Sequence, residues 1–439
     1  MRSFPSHRTN SADRRPRRTD TIAKTLPSCL VAVAVLTTGL AAPSATGSSQ
    51  SSARYVAMSG ACIGLASGVD AARYNPANLG LSGYNRPGLE LVGVGVAITN
   101  NSLSLNDYNS YTGAVLTESD KDEIMGKIPS EGLKLVADVE ASALSLSLGS
   151  VVLSTRGVGV AEFNLNRDLL DLVLNGNTFG QEISITGSYS EAVAYVQTGL
   201  SYGQPIYSLG SRQLSVGATI KYLRGFGTES ITELDGGVTT LETGFTGAGH
   251  MIARTATGGS GWGLDVGAAL RLDDDYTVGL AVRNVLSSIN WTQSPEEHGY
   301  QFSFDTMTVD NMGDDYIVSD DYTREIPAFS TNLPSVMTIG IANTSGSLLW
   351  AVDWEQGFRR AAGASSKPRL VAGIEWWPIK LVPLRTGFAT GGSKRTGFSF
   401  GSGIYLSGFH LDFAAVTGSS LSPGSTRGVN FAVSTGLNF

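Results

Sequence analysis

Residues 428–439 read GVNFAVSTGLNF. Val429, Phe431, Val433, Thr435, Leu437 and Phe439 fall on one face of an extended chain, with Ala432, Ser434 and Gly436 on the other. Side chains of a strand point alternately to its two faces, so this period of two predicts a β-strand with one apolar face. The pattern recurs upstream. Leu214, Val216, Ala218, Ile220 and Tyr222 oppose Gly217, Thr219 and Lys221. Trp262, Leu264, Val266, Ala268 and Leu270 alternate with Gly263, Asp265, Gly267, Ala269 and Arg271. After a turn at Asp273-Asp274-Asp275, Tyr276, Val278, Leu280 and Val282 return against Gly279, Ala281 and Arg283. Leu348, Trp350, Val352 and Trp354 oppose Ala351, Asp353 and Glu355; Phe409, Leu411 and Phe413 oppose His410 and Asp412.

Alternation by itself also fits a soluble sandwich. Two features point instead to a membrane barrel. Charged residues repeatedly share a face with glycine, as a crowded polar lumen requires. Tyr276, Trp291, Trp350, Trp354, Trp376 and Trp377 stand near strand ends, where membrane interfaces favour them. Hydrophobic residues make up 41% of the chain, yet no long apolar run follows residue 50, which excludes a helical membrane bundle. The 54 glycines suit bends and tight interior packing. The expected fold is all-β: an antiparallel transmembrane β-barrel of about 14 strands over residues 88–439, with an N-terminal plug and a few short helices.

Residues 1–45 read as an export signal. A basic region (Arg2, Arg8, Arg14, Arg15, Arg17, Arg18, Lys24) precedes the apolar stretch CLVAVAVLTTGL at 29–40, and small residues follow from Ala41 to Ser48. Its removal takes away seven Lys/Arg and two Asp/Glu, so the net charge moves from −7 to −12. Such a balance argues against nucleic acid as a partner. Cys62 is then the only cysteine, so no intrachain disulfide forms, and it is expected to pack as a small hydrophobe.

Residues 46–87 form the expected plug. RYVAMSGACIGLASGVDAARYNPANLGLSG, residues 54–83, is rich in small residues and contains Tyr74-Asn75-Pro76-Ala77. Small side chains permit close backbone approach. Pro76 fixes its own φ and holds Asn75 extended. A flexible N-terminus is the alternative; Val56, Met58, Ile63, Leu65 and Val69 argue against full exposure.

A glycine-rich segment closing on Tyr74-Asn75-Pro76-Ala77-Asn78-Leu79 soon after an export signal resembles outer-membrane β-barrels of the long-chain fatty acid transporter (FadL) type and their PorV-type relatives. Gly263-Leu264-Asp265-Val266-Gly267, Val282-Arg283-Asn284-Val285, Leu333-Pro334 and Gly373-Ile374-Glu375-Trp376 follow in the same order. The resemblance implies an even strand number and a hatch packed inside the barrel. It implies a place in the bacterial cell outer membrane and passive uptake of hydrophobic, fatty-acid-like molecules. The alternative it carries is a structural or docking barrel of a PorV-type secretion or surface-assembly system. Phe431, Val433, Leu437 and the terminal Phe439 resemble the signal read by the barrel-assembly machinery. Implied partners are outer-membrane lipid, that machinery, and a hydrophobic small molecule or a secretion-system protein. No individual ligand-binding residue carries over.

Two stretches lack alternation. Residues 117–139 are expected to hold a short helix capped by Thr117 with Asp120 in its first turn. Residues 169–174 (LLDLVL), between Asn166 and Gly176, read as a second. If the outer mouth binds an apolar molecule, its candidate wall is Ile124, Met125, Ile128, Leu133, Leu135, Leu169, Leu172 and Val173; the alternative is that they pack these helices onto the rim. Ile289-Trp291 and Tyr300-Phe302-Phe304, around a turn at Ser294–Glu297, read as a hairpin. Asp310, Asp314, Asp315, Asp320, Asp321 and Glu325, with Arg324, read as a solvated acidic loop, since their spacing is not that of a Ca²⁺ loop.

Strand parity points Lys221, Asp265, Arg271, Arg283, Asp353, Glu355, Glu375, Arg385, His410 and Asp412 into the lumen. Mixed signs fit paired charges around a plug rather than an open charge-selective pore. Outside the signal the histidines are His250, His298 and His410. There is no G-x-S-x-G, no H-E-x-x-H, no phosphate loop and no Cys/His cluster, so neither enzyme activity nor a cofactor or metal is expected.

Overall fold

The computed structural model describes residues 51–308, 317–392, 396–418 and 422–439. The expected export signal at 1–45, residues 46–50 of the expected plug segment, and Asp310, Asp314 and Asp315 lie outside the described residues.

The strands in chain order are β1 (Gly88–Asn100), β2 (Leu133–Ser147), β3 (Val151–Leu165), β4 (Glu182–Ser184), β5 (Tyr189–Leu209), β6 (Arg212–Leu241) and β7 (Gly244–Ala256). Next come β8 (Gly258–Arg271), β9 (Tyr276–Arg283), β10 (Ser288–Gln293), β11 (Glu296–Met307), β12 (Val318–Glu325), β13 (Phe329–Asn332) and β14 (Val336–Asn343). The last are β15 (Leu348–Gly357), β16 (Arg369–Ile379), β17 (Val382–Gly391), β18 (Gly397–Leu406), β19 (Phe409–Gly418) and β20 (Gly428–Asn438). Fourteen of these close an antiparallel barrel in the order β1-β2-β3-β5-β6-β8-β9-β14-β15-β16-β17-β18-β19-β20. β20 returns onto β1, with Gly88 opposite Asn438. Closure leaves the wall no free edge. Among the described residues no helix is long and apolar enough to cross a membrane.

Short turns, such as those between β5 and β6 or β16 and β17, lie at one end together with both ends of the barrel chain; the long connections leave the other end. Outer-membrane barrels place short turns at the periplasm and long loops outside. Apolar side chains of the outward faces stay exposed: Ile220 is 57% accessible, Leu200 55% and Phe431 52%. Tyr222 meets Trp262 edge-on at 5.4 Å, and Tyr276 meets Trp350 at 6.2 Å, on outward faces. Two expected interface residues lie elsewhere. Trp291 is fully buried, and Trp377 turns inward, its Nε1 donating to Glu375 Oε1 at 3.0 Å. Parity, not aromaticity, decides which side of the wall a ring faces.

β6 outruns the barrel. Its residues 213–225 pair with β8, and 228–241 pair with β7. β7 pairs onward with β11, and β11 with β12, so a sheet stands beyond the loop end. The expected hairpin is therefore corrected: β10 and β11 do not pair. β10 extends the wall between β8 and β13, and β11 takes the free edge of β7. The acidic stretch is corrected too, since Val318–Glu325 is a strand. Glu297 on β11 gathers Arg324 Nη2 at 2.5 Å and the Tyr322 hydroxyl at 3.2 Å, which ties the two strands.

Five helices belong to the site: α1 (Ala53–Val56) and α2 (Val69–Tyr74) in the plug, then α3 (Leu105–Tyr111), α4 (Glu118–Lys127) and α5 (Arg167–Asn175) at the loop end. Thr117 caps α4, its Oγ1 accepting from the Asp120 N–H at 3.3 Å while the Asp120 carboxylate accepts from Thr117 N–H at 2.8 Å. Asn166 caps α5, accepting from the Leu169 N–H at 2.9 Å, and Gly176 ends it at φ 76°. α3 was not foreseen, although its cap, Ser104 with Asp107, has the same spacing as Thr117 with Asp120.

Phe439 is 75% accessible beyond the last rung, its N–H donating to Pro87 O at 3.2 Å. Phe439→Asp is expected to reduce the folded protein recovered from cell envelopes severalfold. Refolding of the purified chain in detergent should change little, because the ring has few contacts to lose. Equal envelope yields of the two proteins would remove Phe439 from any assembly signal.

Candidate functional site

The lumen is built in three levels. At the turn end the plug forms a floor, and the wall admits it through glycines. A Cβ built on Gly217 would lie 2.4 Å from the Pro76 carbonyl carbon, on Gly373 2.5 Å from Met58 Cβ, and on Gly267 2.0 Å from Asn75 Oδ1. Only a bare backbone permits such approach. Tyr74, Asn75, Pro76 and Ala77 are all buried. The Tyr74 ring meets Tyr55 edge-on at 5.2 Å. Asn75, extended at φ −149° before Pro76, donates Nδ2–H to Ala268 O at 3.1 Å and accepts from the Ala77 N–H at 3.1 Å.

Charged wall residues fasten this floor. Asp353 Oδ2 accepts from the Cys62 and Ile63 N–H groups at 2.6 and 2.9 Å. Arg54 of α1 pairs with Glu375 at 2.7 Å. Arg385 lies between Glu375 and Asp412, at 2.6 Å from each, and Tyr405 OH donates to Asp412 at 3.0 Å. Arg369 bridges Glu355 at 2.7 Å and Ser59 O at 2.9 Å. Lys221 pairs with Asp265 at 2.6 Å. Arg271 reaches Ser82 O at 3.1 Å at the turn end. His410 stacks on Tyr405 at 5.5 Å and lines a polar vestibule of about 560 Å³ beneath the plug. Thus the ten inward residues fall into separate groups rather than one network.

Above the plug lies a chamber of about 200 Å³. Arg156, Lys221, Arg283 and Arg369 face Asp138, Glu140, Asp265 and Glu355 across it. Most of these charges are paired. Arg283 is half-buried and makes no ion pair or hydrogen bond among the described residues.

An apolar layer borders the chamber toward the loop end. Leu223, Ile289, Trp291 and Leu333 are buried together, with Val193, Tyr195 and Phe329 against them; Tyr195 also lines the chamber. Trp291 Nε1 donates to Thr331 Oγ1 at 2.9 Å, and a Cβ on Gly225 would stand 2.5 Å from the indole. The sequence signal for this layer is the parity of Ile289 and Trp291, which places both side chains on one face but does not say what covers it.

The eight candidate wall residues are not brought together. Ile124, Met125 and Ile128 are buried against Leu103, Tyr111, Leu116, Leu170 and Leu174, and so join α3, α4 and α5. Leu169 and Leu172 are half-buried outside that cluster, and Val173 is 79% accessible. Leu133 and Leu135 belong to β2, which starts earlier than the sequence pattern indicates; they share the outward face with Val139. At this mouth Lys127 ties α4 to α3 at 2.7 Å from Asp107. Partial burial opposes ionisation of Asp107, but hydrogen bonds from Lys127 and Ser104 hold its carboxyl below the usual range.

Residues 84–256 match a family model described as a family of unknown function (DUF5723). No curated protein matches. Among solved structures, the chain is similar to the toluene transporter TbuX of Ralstonia pickettii, with 13% identity and a TM-score of 0.51 over 91% of this chain and 100% of that one. The Pseudomonas putida toluene transporter TodX matches at 12% identity and a TM-score of 0.51, over 91% and 99%. A TodX variant described as a monoaromatic hydrocarbon channel gives 14% and 0.52, over 90% and 99%. The chain has the fold of these FadL-type transporters. They are transporters and channels rather than enzymes. The PorV-type side of the resemblance gains no support from them.

Proposed function

We propose that the protein sits in the bacterial outer membrane and passively admits hydrophobic small molecules of the fatty-acid type. The observation that carries this reading is the apolar layer of Leu223, Ile289 and Trp291, joined through Tyr195 to a chamber in which Arg283 makes no ion pair among the described residues. The toluene transport named for the similar structures supports the coarser part of this reading, a hydrophobic small molecule. A chamber of about 200 Å³ is smaller than the roughly 300–1,000 Å³ of pockets that enclose whole drug-sized ligands. It would take a head group only, leaving the chain in the apolar layer. Each buried CH₂ contributes about 0.8 kcal/mol, so half of a sixteen-carbon chain gives measurable affinity.

Saturable binding of a labelled long-chain fatty acid to the purified protein, in a detergent that does not compete, is the test. Leu223→Asp is expected to weaken binding by a factor of ten or more (about 1.4 kcal/mol). Arg283→Gln should weaken the acid selectively over an uncharged hydrocarbon. A docking barrel remains the second reading, favoured by the plug-filled turn end and the polar chamber. Absence of saturable binding, together with a co-purifying surface or secretion protein, would select it.

A further inference from the structure

The chamber has a roof made by residues 358–368, which join β15 to β16. Instead of projecting outward, this loop dips inward: Ala362 is buried, and Ala362, Gly363, Ala364 and Ser365 line the chamber. Its centre, Ala361 to Ser366, carries only small side chains. A tight turn, Ala364 N–H to Ala361 O at 2.9 Å, closes its tip.

Its C-terminal end is tied by Gln356 Nε2, which donates to Ser366 O at 2.7 Å, and its tip by two wall carboxylates, Glu191, which accepts from the Ala362 N–H, and Glu162. Glu162 on β3, with its side chain only 2% accessible, accepts from the Gly363 N–H at 3.1 Å and from Arg360 Nη2 at 3.2 Å. From the wall side it also receives Lys134 Nζ at 2.5 Å and the Tyr189 hydroxyl at 2.7 Å. Arg360 lies 4.5 Å above the Tyr189 ring. Gly363 has φ 71°, and a Cβ there would stand 2.9 Å from Val160 Cγ1, so only glycine seats this close.

We infer that the tip of loop 358–368 is a lid over the lumen chamber, latched chiefly by Glu162 with Glu191 beside it, and able to lift without disturbing the barrel. Two features distinguish a latch from a fixed strut. Lys134 and Tyr189 satisfy Glu162 from the wall, so the carboxylate keeps partners when the loop leaves. The loop's own charged contact, Arg360, is 58% accessible on its side chain, where water and salt compete for the ion pair. Such a contact leaves the open form thermally accessible. The inference does not depend on what the channel carries.

The test uses the full-length protein in cell outer membranes. Cys62→Ala removes the buried plug thiol, and Val336→Cys places a thiol on the chamber wall. A charged, membrane-impermeant thiosulfonate is added outside and the rate of labelling is followed. Slow labelling is expected in this parent. Arg360→Ala and Glu162→Gln should each label about tenfold faster, since labelling tracks the population of the open form. Arg360→Ala leaves the pair of Glu162 with Lys134 intact, so it decides the matter if Glu162→Gln does not fold; heat-modifiable gel mobility reports folding. Fast labelling of the parent, or a folded Arg360→Ala labelling at the parent's rate, would overturn the lid.

Discussion

Arg385→Leu is expected to prevent stable folding of the barrel. The Arg385 side chain is wholly buried, with Nε 2.6 Å from Glu375 Oε2 and Nη1 2.6 Å from Asp412 Oδ1. Its loss leaves Asp412 with only the Tyr405 hydroxyl among the contacts resolved, and Glu375 with Arg54 and Trp377. Breaking one partner out of a buried charge pair costs about 3–5 kcal/mol. Folded domains hold only about 5–15 kcal/mol in total. The measurement is the urea midpoint of the heat-modifiable form in detergent. A second variant tells the cause apart. If the stranded carboxylate is what destabilises, Arg385→Leu combined with Asp412→Leu should recover part of the loss. A double variant less stable than Arg385→Leu would show that Asp412 is not the stranded group.

Gly217→Val is expected to drive the plug from its seat. The new Cβ would fall 2.4 Å from the Pro76 carbonyl carbon and 2.5 Å from Ala77 N, both backbone atoms that no rotamer change can move. Either the wall or the plug must yield. The wall is a closed hydrogen-bonded cylinder, with Gly217 paired to both Gly203 and Gly267. The plug is held by side-chain contacts such as Asn75 to Ala268 and Arg54 to Glu375. The plug is therefore the part that moves. In planar bilayers Gly217→Val should show a stable conductance absent from the parent, and trypsin should gain access at Arg54 or Arg73. Unchanged conductance with unchanged protection at both arginines would mean that the wall, not the plug, absorbs the clash.

Much of the molecule was readable from local pattern. Period-two alternation at residues 214–222, 262–272 and 409–415 placed Lys221, Asp265 and Asp412 on inward faces, because a strand's side chains have no third direction to take. The caps at Thr117 and Asn166 were legible because a helix start needs a side-chain acceptor within a few residues of its free N–H groups.

What the sequence determined by itself was therefore the barrel class, the parity of its strands and two of the three short helices of its mouth, α4 and α5. The tertiary structure alone decided which inward charges meet. Arg385 joins Glu375 ten residues back and Asp412 twenty-seven ahead, whereas Arg54 reaches Glu375 across 321 residues. Equally non-local are the apolar layer, assembled from β5, β6 and β10 around Trp291, and the lid, set by Glu162 two hundred residues before Gly363. Strand pattern fixes which side of the wall a residue faces; only closure of the barrel fixes what stands opposite it, because that depends on register and shear summed over every strand between.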